Sequence, residues 1–222
     1  PASSRAPVDD YRATLRDGVR GLRIGVPREY FHEGVDPEVG RAFEDALATL
    51  HGLGATVEDV EIPHIWDAWA FMAIMLVEAF AYHERDLRER PELYGEVLRE
   101  KMLAGALITG AEYVQAQRLR SRLRAAMSGV LTRVDLLATP TTPKPAPAFA
   151  VVHDPSFPFP RSNMAPFNMT GLPALALPCG VAASGLPLSL QLAGRPFDEA
   201  TVLRAGFAYE QAGAWHARRP SL

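Results

Sequence analysis

The stretch Asn163–Gly194, NMAPFNMTGLPALALPCGVAASGLPLSLQLAG, decides the fold. It reads as a helix start, a Gly-Leu-Pro turn at 171–173, a short apolar strand, a Gly-rich turn and a second strand. The first strand spans Ala174 to Leu177 and is expected to end at Pro178, since proline gives no ladder hydrogen bond. Gly185-Leu186-Pro187 turns the chain into an alternating strand, Leu188 to Leu192. Asp198 can then cap a last helix, with Val202, Leu203, Ala205, Gly206 and Tyr209 as its buried stripe.

Working outward, DLLATPTTPKPAP at Asp135–Pro147 is a buried-strand pattern that breaks into prolines. Prolines at 140, 143, 145, 147, 155, 158 and 160 exclude regular structure as far as Arg161. This Pro-rich loop, 140–160, reads either as a functional flap or as a surface excursion. Upstream, Thr109 and Glu112 fit a capping box. They would open a long helix through Tyr113, Ala116, Leu119, Leu123, Ala126, Met127 and Val130.

Nearer the start, Leu22–Val26 is an apolar run ending at Pro27. Asp36-Pro37 is a helix start, because Asp accepts from the orphan N–H groups and Pro fits the first turn. That helix would bury Val39, Phe43, Ala46, Leu47 and Leu50 and stop at Gly52 or Gly54. TVEDVEI at 56–62 alternates like a half-buried strand. Strand, helix, strand in this order predicts a βαβ unit. Residues 1–21 read as an N-terminal tail and 22–222 as one domain. The chain starts at Pro1 without a methionine, which fits the boundary of a longer chain or processing.

Ile65–Tyr82 is apolar nearly all round, long enough to raise the question of a membrane span. Asp67 and Glu78 inside it, and the Arg-rich DLRER after it, argue for a helix buried between layers instead. No N-terminal apolar signal segment is visible.

The 222 residues are 48% hydrophobic and 22% charged, an ordinary globular composition. A net charge of -3 gives no electrostatic footprint for nucleic acid. One cysteine, Cys179, excludes an intramolecular disulfide and a cysteine zinc site, and a reducing cytoplasm is the simplest home. No cofactor motif is present: Gly18-x-x-Gly21 precedes a strand rather than a helix, and no H-E-x-x-H occurs.

Nucleophiles are scarce. An activated serine needs a base within reach and donors for the oxyanion. There is no G-x-S-x-G elbow, and Ser3-Ser4 lies in a polar tail without glycines. The only lysines are Lys101, on a predicted helix, and Lys144, among prolines. Cys179 reads as a small buried hydrophobe. His83 reads as the solvated end of a helix, and His153-Asp154 as a surface pair.

Three patterns, in this order and spacing, resemble the C-terminal portion of the amidase signature family. They are Asp135, Leu136, Leu137, Thr139, Pro140, Thr141 and Pro143; then Asn168, Gly171, Pro173 and Ala174; then Gly185, Leu186, Pro187 and Gln191. Asp198-Glu199 opening the last helix agrees as well. The resemblance implies an α/β fold, a mixed β-sheet covered by helices. It implies a hydrolase cleaving a carboxamide C–N bond with a Ser-Ser-Lys set that lies in a Gly/Ser-rich N-terminal half. Nothing here matches that half, so the chain is expected to be inactive alone and to hold no catalytic residue. Its implied partners are the N-terminal catalytic half and a small amide, with a homodimer through bare surface as a further option. Thr139, Thr141, Phe167 and Asn168 are the implied substrate-binding wall. The bland reading of the same residues is that Asn168 caps a helix end and the two threonines space the prolines. Arg161-Ser162-Asn163-Met164 is more similar to free-standing amidases than to amidotransferase A-type subunits, the alternative. A non-catalytic binding domain is the reading from another class.

Overall fold

The computed structural model describes residues 4, 6–152, 162–213 and 215–217. Its centre is a five-stranded mixed sheet in the order β2-β1-β3-β5-β4. The strands are β1 (Arg23–Pro27), β2 (Thr56–Val60), β3 (Leu136–Pro140), β4 (Ala174–Val181) and β5 (Pro187–Gly194). β2, β1 and β3 run parallel, and β5 runs antiparallel to both β3 and β4.

The βαβ unit forms as expected. Asp36 caps α1 (Pro37–Gly52), accepting from the Glu38 N–H at 2.8 Å, with Pro37 in the first turn. The face Val39, Phe43, Ala46, Leu47 and Leu50 is buried. Each large side chain so buried contributes about 1.5–3 kcal/mol of transfer free energy. The helix stops at Gly52, and Gly54 turns the chain with a φ of +100°. α1 and α7 (Glu199–Gly213) cover one face of the sheet, packing on Ile24, Val26, Leu136, Leu190 and Leu192. Val202, Ala205, Gly206 and Tyr209 form the buried stripe of α7.

α4 (Gly110–Leu131) and α6 (Ala165–Thr170) lie on the other face, against Leu137 and Ala193. The capping box of α4 is complete: Glu112 N–H donates to Thr109 Oγ1 at 3.2 Å, and Thr109 N–H to Glu112 Oε2 at 2.8 Å. At the start of β3, Asp135 accepts from the Arg23 N–H and from Arg195, both at 2.9 Å, which staples β1, β3 and the β5–α7 turn. Burial works to raise the Asp135 pKa, but those two donors outweigh it and hold the carboxyl below its usual value.

Three expectations need correction. β4 does not stop at Pro178 but runs on to Val181, with an irregularity between Pro178 and Gly180. The reason is position: β4 is an edge strand, where a missing N–H costs no ladder bond. Ile65–Tyr82 is not a helix buried all round. It splits into a 3-10 segment, Ile65–Ala70, and α2 (Phe71–Glu89), and Trp69 is 69% and Met72 50% exposed. By length and apolarity Ile65–Glu89 could cross a membrane, yet its other side is fastened to the domain. Asp67 takes a two-pronged hydrogen bond from Arg122 on α4, at 2.7 and 2.8 Å. Gly105, after α3 (Glu96–Ala104), lets the chain press onto α2, where a Cβ would lie 2.1 Å from the Leu76 carbonyl oxygen. Finally, the proline loop holds one helical turn, α5 (Phe149–Val152). Its prolines at 155, 158 and 160, with His153-Asp154 and Arg161, lie outside the described residues.

Candidate functional site at the carboxyl end of β3

Strands that run in parallel open onto a crevice at their carboxyl ends. Here β1 ends at Pro27 and leads to Tyr30 and Phe31, while β3 ends at Pro140 and leads to Thr141. A buried polar network ties these ends together. Thr139 is fully buried, and its Oγ1 accepts from Gln191 Nε2 at 3.0 Å across the β3–β5 ladder. Gln191 Nε2 also approaches the Asn163 carbonyl at 3.4 Å. Asn163 is only 1% exposed, and its Nδ2 donates to the Phe31 carbonyl at 3.1 Å and the Pro140 carbonyl at 2.9 Å. Tyr30 Oη donates to the Ser162 carbonyl at 3.2 Å. One asparagine thus clamps the ends of β1 and β3 to the segment entering α6.

Two buried polar atoms, one in this network and one beside it, keep unused capacity. Asn163 Oδ1 and Thr141 Oγ1 are buried with no hydrogen-bond partner among the described residues. Buried polar atoms are nearly always paired, with protein or with ordered water, so these two stand out from the rest of the network.

The four residues expected to form a substrate wall fall into three environments. Thr139 belongs to the buried network. Thr141 sits two residues on, its N–H donating to the Ser189 carbonyl at 3.0 Å. Phe167 is 1% exposed and stacks on Phe31 with ring centroids 5.6 Å apart, a core position. Asn168, the next residue on α6, points the other way and is exposed. Successive helix residues differ by about 100° in direction, which separates the pair.

Asn168 lies beside a second polar network, between α2 and α4. Tyr113 Oη donates to Glu78 Oε1 at 2.9 Å, and Gln117 Nε2 donates to Tyr113 Oη at 2.8 Å and to Glu78 at 3.3 Å. The hydrogen bond to Glu78 raises the Tyr113 pKa. One turn on, Arg120 Nε donates to the Met169 carbonyl at 2.7 Å, holding α6 to α4. The spacing of Tyr113, Gln117 and Arg120 on one helix face is the sequence signal that could have shown this group. Asn163 carried no such signal.

Among the described residues no activated nucleophile accompanies these networks. Cys179 faces α1 and α7, and burial pushes its thiol up to about 12, so it stays protonated. Lys101 and Lys144 are on the surface. His83 is not the solvated helix end expected from sequence. Its Nδ1 lies 3.0 Å from Tyr94 Oη, in a contact that fastens the end of α2. Among the described residues no cluster of His, Cys, Asp and Glu could hold a metal.

Comparison with known proteins agrees with this architecture. An amidase from Pseudomonas putida is 42% identical over all of this chain and 49% of its own length. The A subunit of glutamyl-tRNA(Gln) amidotransferase from Myxococcus xanthus is 42% identical over 94% of this chain and 49% of its own. Among solved structures, a bacterial aryl acylamidase superposes with a TM-score of 0.75 at 27% identity, covering all of this chain and 50% of that one. The amidotransferase A subunit of Thermotoga maritima gives 0.70 at 31% identity, covering 89% and 44%. The chain spans about half the length of the curated relatives it matches. The family model for amidases matches residues 1–203, and the chain belongs to the amidase signature family.

Proposed function

We propose that this chain is the C-terminal half of an amide hydrolase and builds one wall of its substrate cleft. The observation that carries the reading is the full-length match to an amidase of twice the size. The absence of a Ser-Ser-Lys pattern from the sequence supports it as well. In this reading the other half supplies nucleophile, base and oxyanion donors. Thr139, Thr141, Phe167 and Asn168 belong to the wall, with Thr139 and Phe167 acting from behind its surface and Asn168 on it. The partners are that half and a small amide. Neither nucleic acid nor membrane is among them, and the cytoplasm is the proposed compartment. The single cysteine and the net charge of -3 support those assignments.

Two surfaces suit the missing half. β4 offers an unpaired edge without a charged side chain, and the outer side of the 3-10 segment and α2 exposes Trp69, Met72 and Met75. Such surfaces favour association, and a homodimer of the isolated chain is the competing way to cover them. The test is to purify this chain alone and together with an N-terminal half taken from the same polypeptide, and to assay carboxamide turnover. Turnover only by the pair is the expected result. Turnover by the chain alone, surviving repurification, would overturn the reading.

An amidotransferase A-type subunit is the second reading, favoured by relatives of that name at up to 42% identity. The sequence Arg161-Ser162-Asn163-Met164 argues for the free-standing hydrolase. A glutamine-dependent ammonia release by the reconstituted pair that needs further subunits would support the amidotransferase instead.

A further inference from the structure

A pocket of about 200 Å³ opens between α2, α4 and α6. Phe71, Ile74 and Met75 of α2 give it an apolar wall. Glu78, Arg120 and Asn168 converge on it from three different helices. Each keeps hydrogen-bonding capacity that no described residue uses. Arg120 engages only Nε, at the Met169 carbonyl, and its terminal amino groups are left over. Glu78 accepts from Tyr113 and Gln117 at Oε1, and its Oε2 is left over. The Asn168 carboxamide has no side-chain hydrogen bond. Glu78 and Arg120 do not form an ion pair with each other.

These groups define a complementary ligand. Arg120 and Asn168 ask for an acceptor, and Glu78 asks for a donor. A carboxylate would meet Glu78 unfavourably, and an ammonium would meet Arg120 unfavourably. A neutral group that accepts and donates within one plane satisfies all three. We propose that this pocket binds the neutral carboxamide or urea-type end of a ligand, whose short aliphatic arm lies on Phe71, Ile74 and Met75. The volume is below that of pockets for whole drug-sized ligands, so it holds one end of a molecule. Its described lining has no hydroxyl, thiol, lysine or histidine, so in this proposal it recognises that end and does not cleave it. The relevance to substrate rests on the amide-hydrolase reading: the substrate would carry a neutral polar group apart from the bond that is cut.

The test is an NMR titration of this chain with three probes that share an aliphatic arm: butyramide, butyrate and butylammonium. Butyramide is expected to shift the backbone signals of α2, α4 and α6, and to bind about five- to tenfold more tightly than either charged probe, the worth of one or two hydrogen bonds. Glu78→Gln keeps the shape and is expected to bring butyrate up to butyramide. Arg120→Gln is expected to weaken butyramide while leaving the spectrum of the sheet intact. Equal or tighter binding of a charged probe to the native chain, or shifts elsewhere than these helices, would overturn the proposal. Because no turnover is measured, failure of the titration and failure of the amide-hydrolase reading are separate results.

Discussion

The two edges of the sheet are built on opposite rules. β2 carries Glu58 and Asp59, which pair with Arg23 at 2.8 Å and Arg28 at 3.0 Å, and Arg28 also reaches Glu44. Charge along an edge discourages another strand from adding to it. β4, at the far edge, reads ALALPCGV and has no charge at all. The helical layers repeat the contrast. α1 and α7 close their face with a continuous core, while the 3-10 segment and α2 turn two tryptophans and two methionines partly to solvent. In the half-enzyme reading proposed above, β2 is a finished end and β4 a seam. A chain that needs a second half should show this asymmetry.

The largest effect expected from that contrast is catalytic. With nucleophile and base assigned to the other half, as proposed, the chain alone should fall about a millionfold short of the assembled pair, as read by carboxamide hydrolysis. Measurable turnover by the chain alone would remove the reason for a seam.

The closed side is tested by Cys179, on the inner face of β4. A thiol pushed from 9.0 to about 12 has about a thousandfold less thiolate. Labelling with a thiol reagent in native buffer should be slower than in denaturant by about that factor. Equal rates would mean that α1 and α7 do not seal β4. Phe167→Ala should destabilise the chain by about 3–5 kcal/mol in urea unfolding, because its ring fills the core against Phe31. A loss under about 1 kcal/mol would move Phe167 from the core to the cleft surface.

The seam itself is tested by Val181→Lys. An exposed edge position should change folding stability by less than about 0.5 kcal/mol yet reduce self-association in sedimentation and weaken reconstitution. Placing a lysine at Glu58 should leave association unchanged. If both act alike, the edges do not differ.

The smallest effect concerns His32. Burial, and then the Arg28 charge, lower its pKa from 6.5. Neutral His32 therefore supports the fold above that value. The support is lost as pH falls below it and through the lower folded-state value, because the unfolded chain takes up the proton first. Unfolding midpoints at about pH 7.5 and about pH 5.5 should diverge less in His32→Gln than in the native chain. An unchanged divergence would show that other groups set the slope.

Local chemistry made much of the fold legible. The Asp36 cap and the Thr109–Glu112 box are complete within four residues, so sequence alone reveals them. The run of β4 through Pro178 was hidden, since being an edge strand is a property of the sheet and not of the segment. The outer side of the 3-10 segment and α2 looked buried because Trp69, Met72 and Met75 are apolar, and whether an apolar face is covered is a property of packing and not of the segment. Thr139 and Thr141, in and beside the buried network, fall within the Asp135–Pro143 pattern, and Asn168, beside the second network, opens the next one. The clamp by Asn163 could not be named from a motif, because its partners, the carbonyls of Phe31 and Pro140, lie 132 and 23 residues away.

Immunoblotting of the source cells with an antibody raised against this chain tests most directly whether these residues are half of a larger enzyme. A band at roughly twice 24.2 kDa, matching relatives of which this chain spans about half, is the predicted result. A band at 24.2 kDa itself would contradict it, and would make the chain a protein in its own right with its bare edge covered by something else.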